Sequence, residues 1–214
     1  MYNGVTAPET AEWHAVGDRP AHSPIPSARA PKRFTKAKSQ FRVLVCLARG
    51  ARFKLRHHVD NGYHLQLLGK VRVSRPAVDT HLRFGANVSL WPDVAFFLDG
   101  AGATISIGDR TYINLRAEIA CVRSVAIGRD CAISWDVAIM DTDFHEIVGG
   151  GEPVGEVRID NHVLVGARAI ILKGVHVGEG AIIAANSVVT KDVPPRSLVA
   201  GSPAKIVRTN VEWH

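Results

Sequence analysis

The chain has 214 residues, 46% of them hydrophobic and 21% charged, and a formal net charge of +6. That length can bury a proper core, and the balance is that of an ordinary globular protein. Three cysteines (Cys46, Cys121, Cys131) cannot all pair, and no CxxC occurs, which argues against a disulfide framework or a cysteine zinc site. Nineteen glycines with only 7% aromatic residues lean away from a helical bundle.

The first 38 residues carry Pro8, Pro20, Pro24, Pro26 and Pro31 among Ser, Ala and Lys, and read as an extended, unordered arm. Residues 1–60 hold 11 Lys/Arg against 4 Asp/Glu, whereas residues 61–214 hold 15 against 16, so the basic character is N-terminal. Such an arm suits nucleic acid or an anionic membrane surface; the preferred reading is a solvated tail that binds no nucleic acid. The opening MYNGVTAPETAEWHAVGDRP lacks a basic-then-apolar leader, and Val43 to Ala48 is too short to cross a bilayer. A cytoplasmic protein is expected.

Residues 39–79 form the next expected segment. From Ser39 to about His58, Phe41, Leu44, Val45, Ala48, Arg52 and Leu55 fall at helical spacing, with Ser39 as the N-cap. Packing of this helix on the body is expected in preference to membrane-surface contact.

A different rhythm follows. Ile159, Val165, Ile171, Val177, Ile183 and Val189 recur every six residues. The units VGARAI, ILKGVH, VGEGAI, IAANSV and VTKDVP open on an aliphatic residue and carry Ala, Val or Ser at position five. Ile107, Ile113, Ile119 and Val125, then Ile127, Ile133 and Ile139 shifted by two, repeat the rule, and Val88 and Val94 place the first coil near residue 80. A period of six means strand, turn, strand, turn, with one large side chain per strand facing a common axis. A single coil cannot bury its own face, so coils stack into aliphatic ladders. Glycine at position two suits a sharp corner. The expected body is an all-β parallel β-helix over residues 80–193, interrupted by an inserted loop at 145–158 and closed by residues 194–214.

Three motifs stand out: MDTDFH at 140–145, where the rhythm stops; INLRAE at 113–118; and VVTKDVPPRSLVAGSPAKIVR at 188–208. With the repeats, over residues 80–208, they resemble the hexapeptide-repeat acyltransferases, within them the sugar and polysaccharide O-acetyltransferases. The resemblance implies a left-handed coil, a homotrimer with active sites between neighbouring β-helices, and acetyl-CoA as acyl donor without a metal. It implies His145 as the catalytic base and Asn114 as an acceptor-positioning residue. It also implies Ala167 and Ala185 beside the pantetheine arm, Thr190, Lys191 and Arg208 near the phosphates and adenine, and Lys205 as a further cation.

The chemistry fits those residue types. An unactivated hydroxyl is a poor nucleophile near neutral pH, and an imidazole can take its proton and return one to the leaving thiolate. Of ten histidines, only His145 sits where the rhythm breaks and a glycine-rich insertion begins. Asp143, two residues earlier, shares its face if the segment is extended, and Asp141 is expected to bind the acceptor or, as the other candidate, to orient the ring; the alternative is that both acids simply hold the loop or are solvated. Trp135, at an outward repeat position, is expected to line the acceptor cleft or a subunit interface. Cys131, at a small position five, reads as an inert buried thiol. The competing readings are an N-acetyltransferase acting on an amino sugar, a non-enzymatic β-helix scaffold, and a histidine-zinc carbonic anhydrase, for which His145, His162 and His176 are too widely spaced.

Overall fold

The computed structural model describes residues 36–214 apart from 147 and 150. The expected arm therefore lies outside the described residues up to residue 35, and residues 36–38 are already helical. The helix α1 runs Lys36–His57, so Ser39 lies inside it and is not its N-cap. No helix among the described residues is long and apolar enough to cross a membrane.

The rest of the chain winds through three parallel sheets, the faces of a prism. Face I holds Asp60–Asn61, His81–Phe84, Thr104–Ile107, Ser124–Ile127, Val157–Ile159 and His176–Val177. Face II starts at Gln66–Leu67 and face III at Arg72–Ser74, so the chain passes I, II, III and back to I on every turn. The first coil therefore begins at Asp60, about twenty residues before the Val88–Val94 spacing placed it. Sequence missed it because Leu67 and Leu90 are 23 residues apart, as are Leu90 and Ile113, whereas Val165 and Ile183 are 18 apart. Only the later coils are three pure hexapeptides.

The ladders are continuous. Leu67, Leu90, Ile113, Ile133, Val165, Ile183 and Val199 stack down face II, and Val73, Phe96, Ile119, Ile139, Ile171 and Val189 down face III. Nearly all are fully buried, and such a side chain contributes about 1.5–3 kcal/mol on leaving water. The shift of two between Val125 and Ile127 reflects the longer face I strands, in which both residues point inward. Position five is filled as expected by buried Ala169, Val175, Ala181, Ser187 and Val193, and Phe53 of α1 joins the same core at its first-coil end.

The corners correct the glycine reading. The left-handed backbone falls three residues beyond the ladder residue, at Asn87, Arg110, Asp130, His162 and Gly180 between faces I and II, and at Asp93, Arg116, Asp136, Arg168 and Asn186 between faces II and III. Asn and Asp tolerate that conformation. The arginines are held in it beside stacked partners: Arg110 grips Asp130 at 2.7 Å through both nitrogens, and Arg116 grips Asp136 at 2.6 and 2.8 Å. Hydrogen bonds from those guanidiniums hold both carboxyls below the usual range. Position-two glycines serve close approach instead: a Cβ on Gly166 would sit 2.5 Å from the Ala185 nitrogen of the next coil.

Candidate functional site

The rhythm stops at Asp141, immediately after the strand Ala138–Met140 on face III, four residues before the expected loop start. From there the chain leaves the III–I corner and returns at Val157–Ile159. The base of this excursion is clamped. Thr142 and Val154 form an antiparallel bridge, Asp143 N–H donates to the Pro153 carbonyl (2.9 Å), and Gly155 N–H donates to that of Asp141 (2.8 Å). Lys173, one coil further on, reaches Asp143 Oδ2 at 3.3 Å and the Glu152 carbonyl at 2.7 Å.

Asp141 is wholly buried, and its part is structural, not that of an acceptor ligand or of the group that orients the ring. Oδ1 accepts the Val122 N–H (2.8 Å), and Oδ2 accepts those of Arg123 and Ser124 (2.7 Å each). The Cys121 thiol donates to the same carboxylate at 3.6 Å. Asp141 thus closes the corner of the preceding coil and is not available to an acceptor or to the imidazole. The reason is desolvation: a carboxylate this deep needs all its lone pairs satisfied, and three backbone donors of the neighbouring turn do so.

Asp143 also departs from expectation. Residues 143 and 145 share a face only in an extended segment, but Phe144 adopts φ +59°, a left-handed conformation unusual for a bulky residue. That kink, supported by Phe144 N–H donating to Thr142 Oγ1 at 2.9 Å, separates the directions of residues 143 and 145. Asp143 pairs with Lys173, while the imidazole of His145 lies exposed on the excursion. Sequence reasoning passed over Lys173 and Phe144. The only signal for Lys173 was an outward position in ILKGVH, in the coil that follows the break.

Asn114, Trp135, Ala167 and Ala185 all sit at the II–III corner, not at the corner of His145. The Asn114 N–H donates to the Ile133 carbonyl and its Oδ1 accepts the Leu115 N–H at 2.7 Å, which fixes the amide of this half-buried residue. The Arg168 N–H donates to the Trp135 carbonyl and the Asn186 N–H to that of Ala167, so Trp135, Ala167 and Ala185 stack in successive coils. Trp135 and Ala185 are exposed. With only the methyl groups of Ala167 and Ala185 above Trp135, the column presents little side-chain bulk, which leaves room for an extended chain against the backbone.

The four polar residues carried over to the coenzyme lie apart. Thr190 and Lys191 follow the strand Val188–Val189 at the III–I corner, exposed. Lys205 and Arg208 lie on Ala204–Thr209, which pairs antiparallel with Ser197–Gly201 at the edge of face II. His162 and His176 have structural partners: His162 stacks on Trp213 with ring centroids 4.4 Å apart, and His176 Nε2 lies 2.9 Å from Asp160 Oδ2. Burial acts to raise Asp160, but hydrogen bonds from His176 and Arg158 outweigh it and leave the carboxyl lowered. Burial pushes the Cys121 thiol to about 12, with Asp141 adding to the shift, and the Cys131 thiol to about 11.

A family profile described as the hexapeptide repeat of succinyl-transferase matches residues 156–191. Over 128 residues the chain is 34% identical to the galactoside O-acetyltransferase of Escherichia coli (strain K12), covering 58% of this chain and 62% of that protein. Over 52 residues it is 56% identical to the 2,3,4,5-tetrahydropyridine-2,6-dicarboxylate N-acetyltransferase of Staphylococcus aureus (strain JH9), covering 24% and 22%. The chain thus spans less than two thirds of the length of either relative. Among solved structures, that of the polySia specific acetyltransferase NeuO superposes with a TM-score of 0.55 at 28% identity, covering 73% of this chain and 88% of that one. The coils wind left-handed, as in the hexapeptide acetyltransferases of this fold.

Proposed function

We propose that this chain, which belongs to the hexapeptide-repeat (left-handed β-helix) acyltransferase family, moves an acetyl group from acetyl-CoA to a hydroxyl of a sugar, polyol or polysaccharide precursor. The observation that carries this reading is the break at Asp141: a clamped excursion that presents an exposed imidazole, His145, beside otherwise unbroken coils. His145 takes the proton of the acceptor hydroxyl as its oxygen attacks the thioester carbonyl. The carbonyl oxygen becomes an oxyanion, which a backbone N–H of the rigid coil can stabilise without reorganisation. Collapse breaks the carbon–sulfur bond, and the imidazolium returns its proton to the departing thiolate. The products are an acetyl ester and free coenzyme A.

The II–III column of Ala167 and Ala185 receives the pantetheine arm, and Lys191, Lys205 and Arg208 supply cations for the phosphates. Asn114 and Trp135, on earlier coils of the same corner, meet the acceptor. His145 lies at the other edge of face III, so one protomer does not bring base and thioester together. A homotrimer in which the II–III corner of one prism meets the III–I corner of the next does. Asp143 acts on His145 only indirectly, by fixing the excursion through Lys173.

The test is thiol release from acetyl-CoA against a panel of sugars, with His145→Ala lowering turnover at least about a hundredfold while the melting temperature stays unchanged. Near-normal turnover in that variant removes the assignment, and a stable monomer by light scattering removes the shared site. The similarity to an N-acetyltransferase favours a second reading, transfer to an amino group, for which an amino sugar is the acceptor the sequence reading named. Hydroxylamine separates the two, since it cleaves an acetyl ester and leaves an amide intact.

A further inference from the structure

Helix α1 has three faces, and among the described residues the coils bury one of them. Gly50 and Phe53 are buried against the first coil; a Cβ on Gly50 would overlap the Leu65 carbonyl, and Phe53 enters the core. Cys46, Leu47 and His57 are half-buried on the same side. At 100° per residue the opposite side carries Phe41, Leu44, Ala48, Ala51 and Leu55, an apolar stripe at alternating three- and four-residue spacing. All five are exposed, the large ones at 69% (Phe41), 64% (Leu44) and 81% (Leu55). Between stripe and body runs a basic flank of Arg42, Arg49, Arg52 and Arg56. Arg49, Arg52 and Arg56 share one groove with Lys70 and Arg72 of the first coil.

The stripe has the spacing of a coiled-coil seam, but its borders argue against a second copy. In that register the flanking positions hold Val45, Leu47, Arg52 and Lys54, and the sequence of α1 contains seven Lys/Arg and no Asp/Glu. Two or three such helices would bring like charges together with no acid to pair them. An apolar stripe beside a cationic flank with no acidic partner among the described residues instead matches the boundary of an anionic bilayer, where the side chains enter the acyl region and the arginines stay at the headgroups.

We infer that the outer face of α1 docks the protein peripherally on an anionic lipid surface, with Phe41, Leu44 and Leu55 inserted and Arg49, Arg52 and Arg56 at the headgroups. The inner face remains on the coils, so docking needs no unfolding of the helix. The inference does not rest on acyl transfer.

The experiment is co-sedimentation of the full chain with vesicles of phosphatidylcholine alone or with about one third phosphatidylglycerol. Partitioning to the anionic vesicles is expected to exceed that to neutral ones at least about tenfold and to fall with added salt. The variants Leu44→Glu/Leu55→Glu and Arg52→Glu/Arg56→Glu should each lower it at least about tenfold, with melting temperature and thiol release unchanged. Equal binding to both vesicles, or none, overturns the inference. So does undiminished binding by the stripe variant, which means adsorption by charge alone. A lower solution mass for the stripe variant makes the stripe an interface between copies. Binding to soluble dextran sulfate with vesicles ignored assigns the flank to a soluble polyanion.

Discussion

The coils and the excursion between Asp141 and Val157 satisfy their backbone by different means. In the coils each inner strand has a parallel neighbour above and below, so hydrogen bonds come from stacking and the side chains need only be aliphatic. Among the described residues the excursion belongs to no ladder of stacked strands and meets the next coil only where Lys173 and Gly174 reach it. It closes on itself through the Thr142–Val154 bridge, and it is tied down by Lys173 and by a carboxylate, Asp141, that serves the coil beneath. Regularity thus builds a rigid prism whose residues are largely interchangeable within a class, and departure from it requires individual polar residues. The exposed imidazole is found where those polar residues collect.

The sharpest way to test that contrast is to damage each region and read stability and turnover separately. Ile133→Ala removes a fully buried rung at the middle of face II and should destabilise the fold by about 2–5 kcal/mol, read by denaturant unfolding. Turnover per folded molecule should change little. Asp141→Ala strands three backbone N–H groups and should cost about 2–4 kcal/mol, with turnover reduced as well because the base of the excursion loosens. Equal loss of turnover in both variants would erase the distinction between scaffold and excursion.

The smallest effect is chemical. The thiols of Cys121 and Cys131, pushed up to about 12 and 11, stay protonated at pH 8. A thiol reagent should therefore label only the half-buried Cys46 in native protein and all three cysteines after denaturation. Rapid native labelling of three thiols would mean that the coils open far more readily than their burial implies.

Much of this could be read directly from the chain. The Ile159-to-Val189 series defines the late coils, the break after Met140 locates the excursion, and the small residues at position five fall inside, as their size requires. Boundaries were less legible. The first coil, 23 residues round instead of 18, hid its repeat, and Ser39 looked like a cap because nothing local shows that residues 36–38 are already helical. The partners of the acids were not legible at all. Asp141 and Asp143 look alike in MDTDFH, yet one is sealed into the turn of residues 122–124 and the other faces a lysine thirty residues away.

The sequence by itself determined the stacking, because a six-residue period of aliphatic side chains has one economical way to leave water. Only the tertiary structure decided which corner each candidate residue occupies. Corner identity depends on the accumulated length of every coil and insertion, and two residues 18 apart share a corner only where no insertion intervenes. For that reason Ala167 and Ala185 fall in one column, while His145 stands at the other edge of face III.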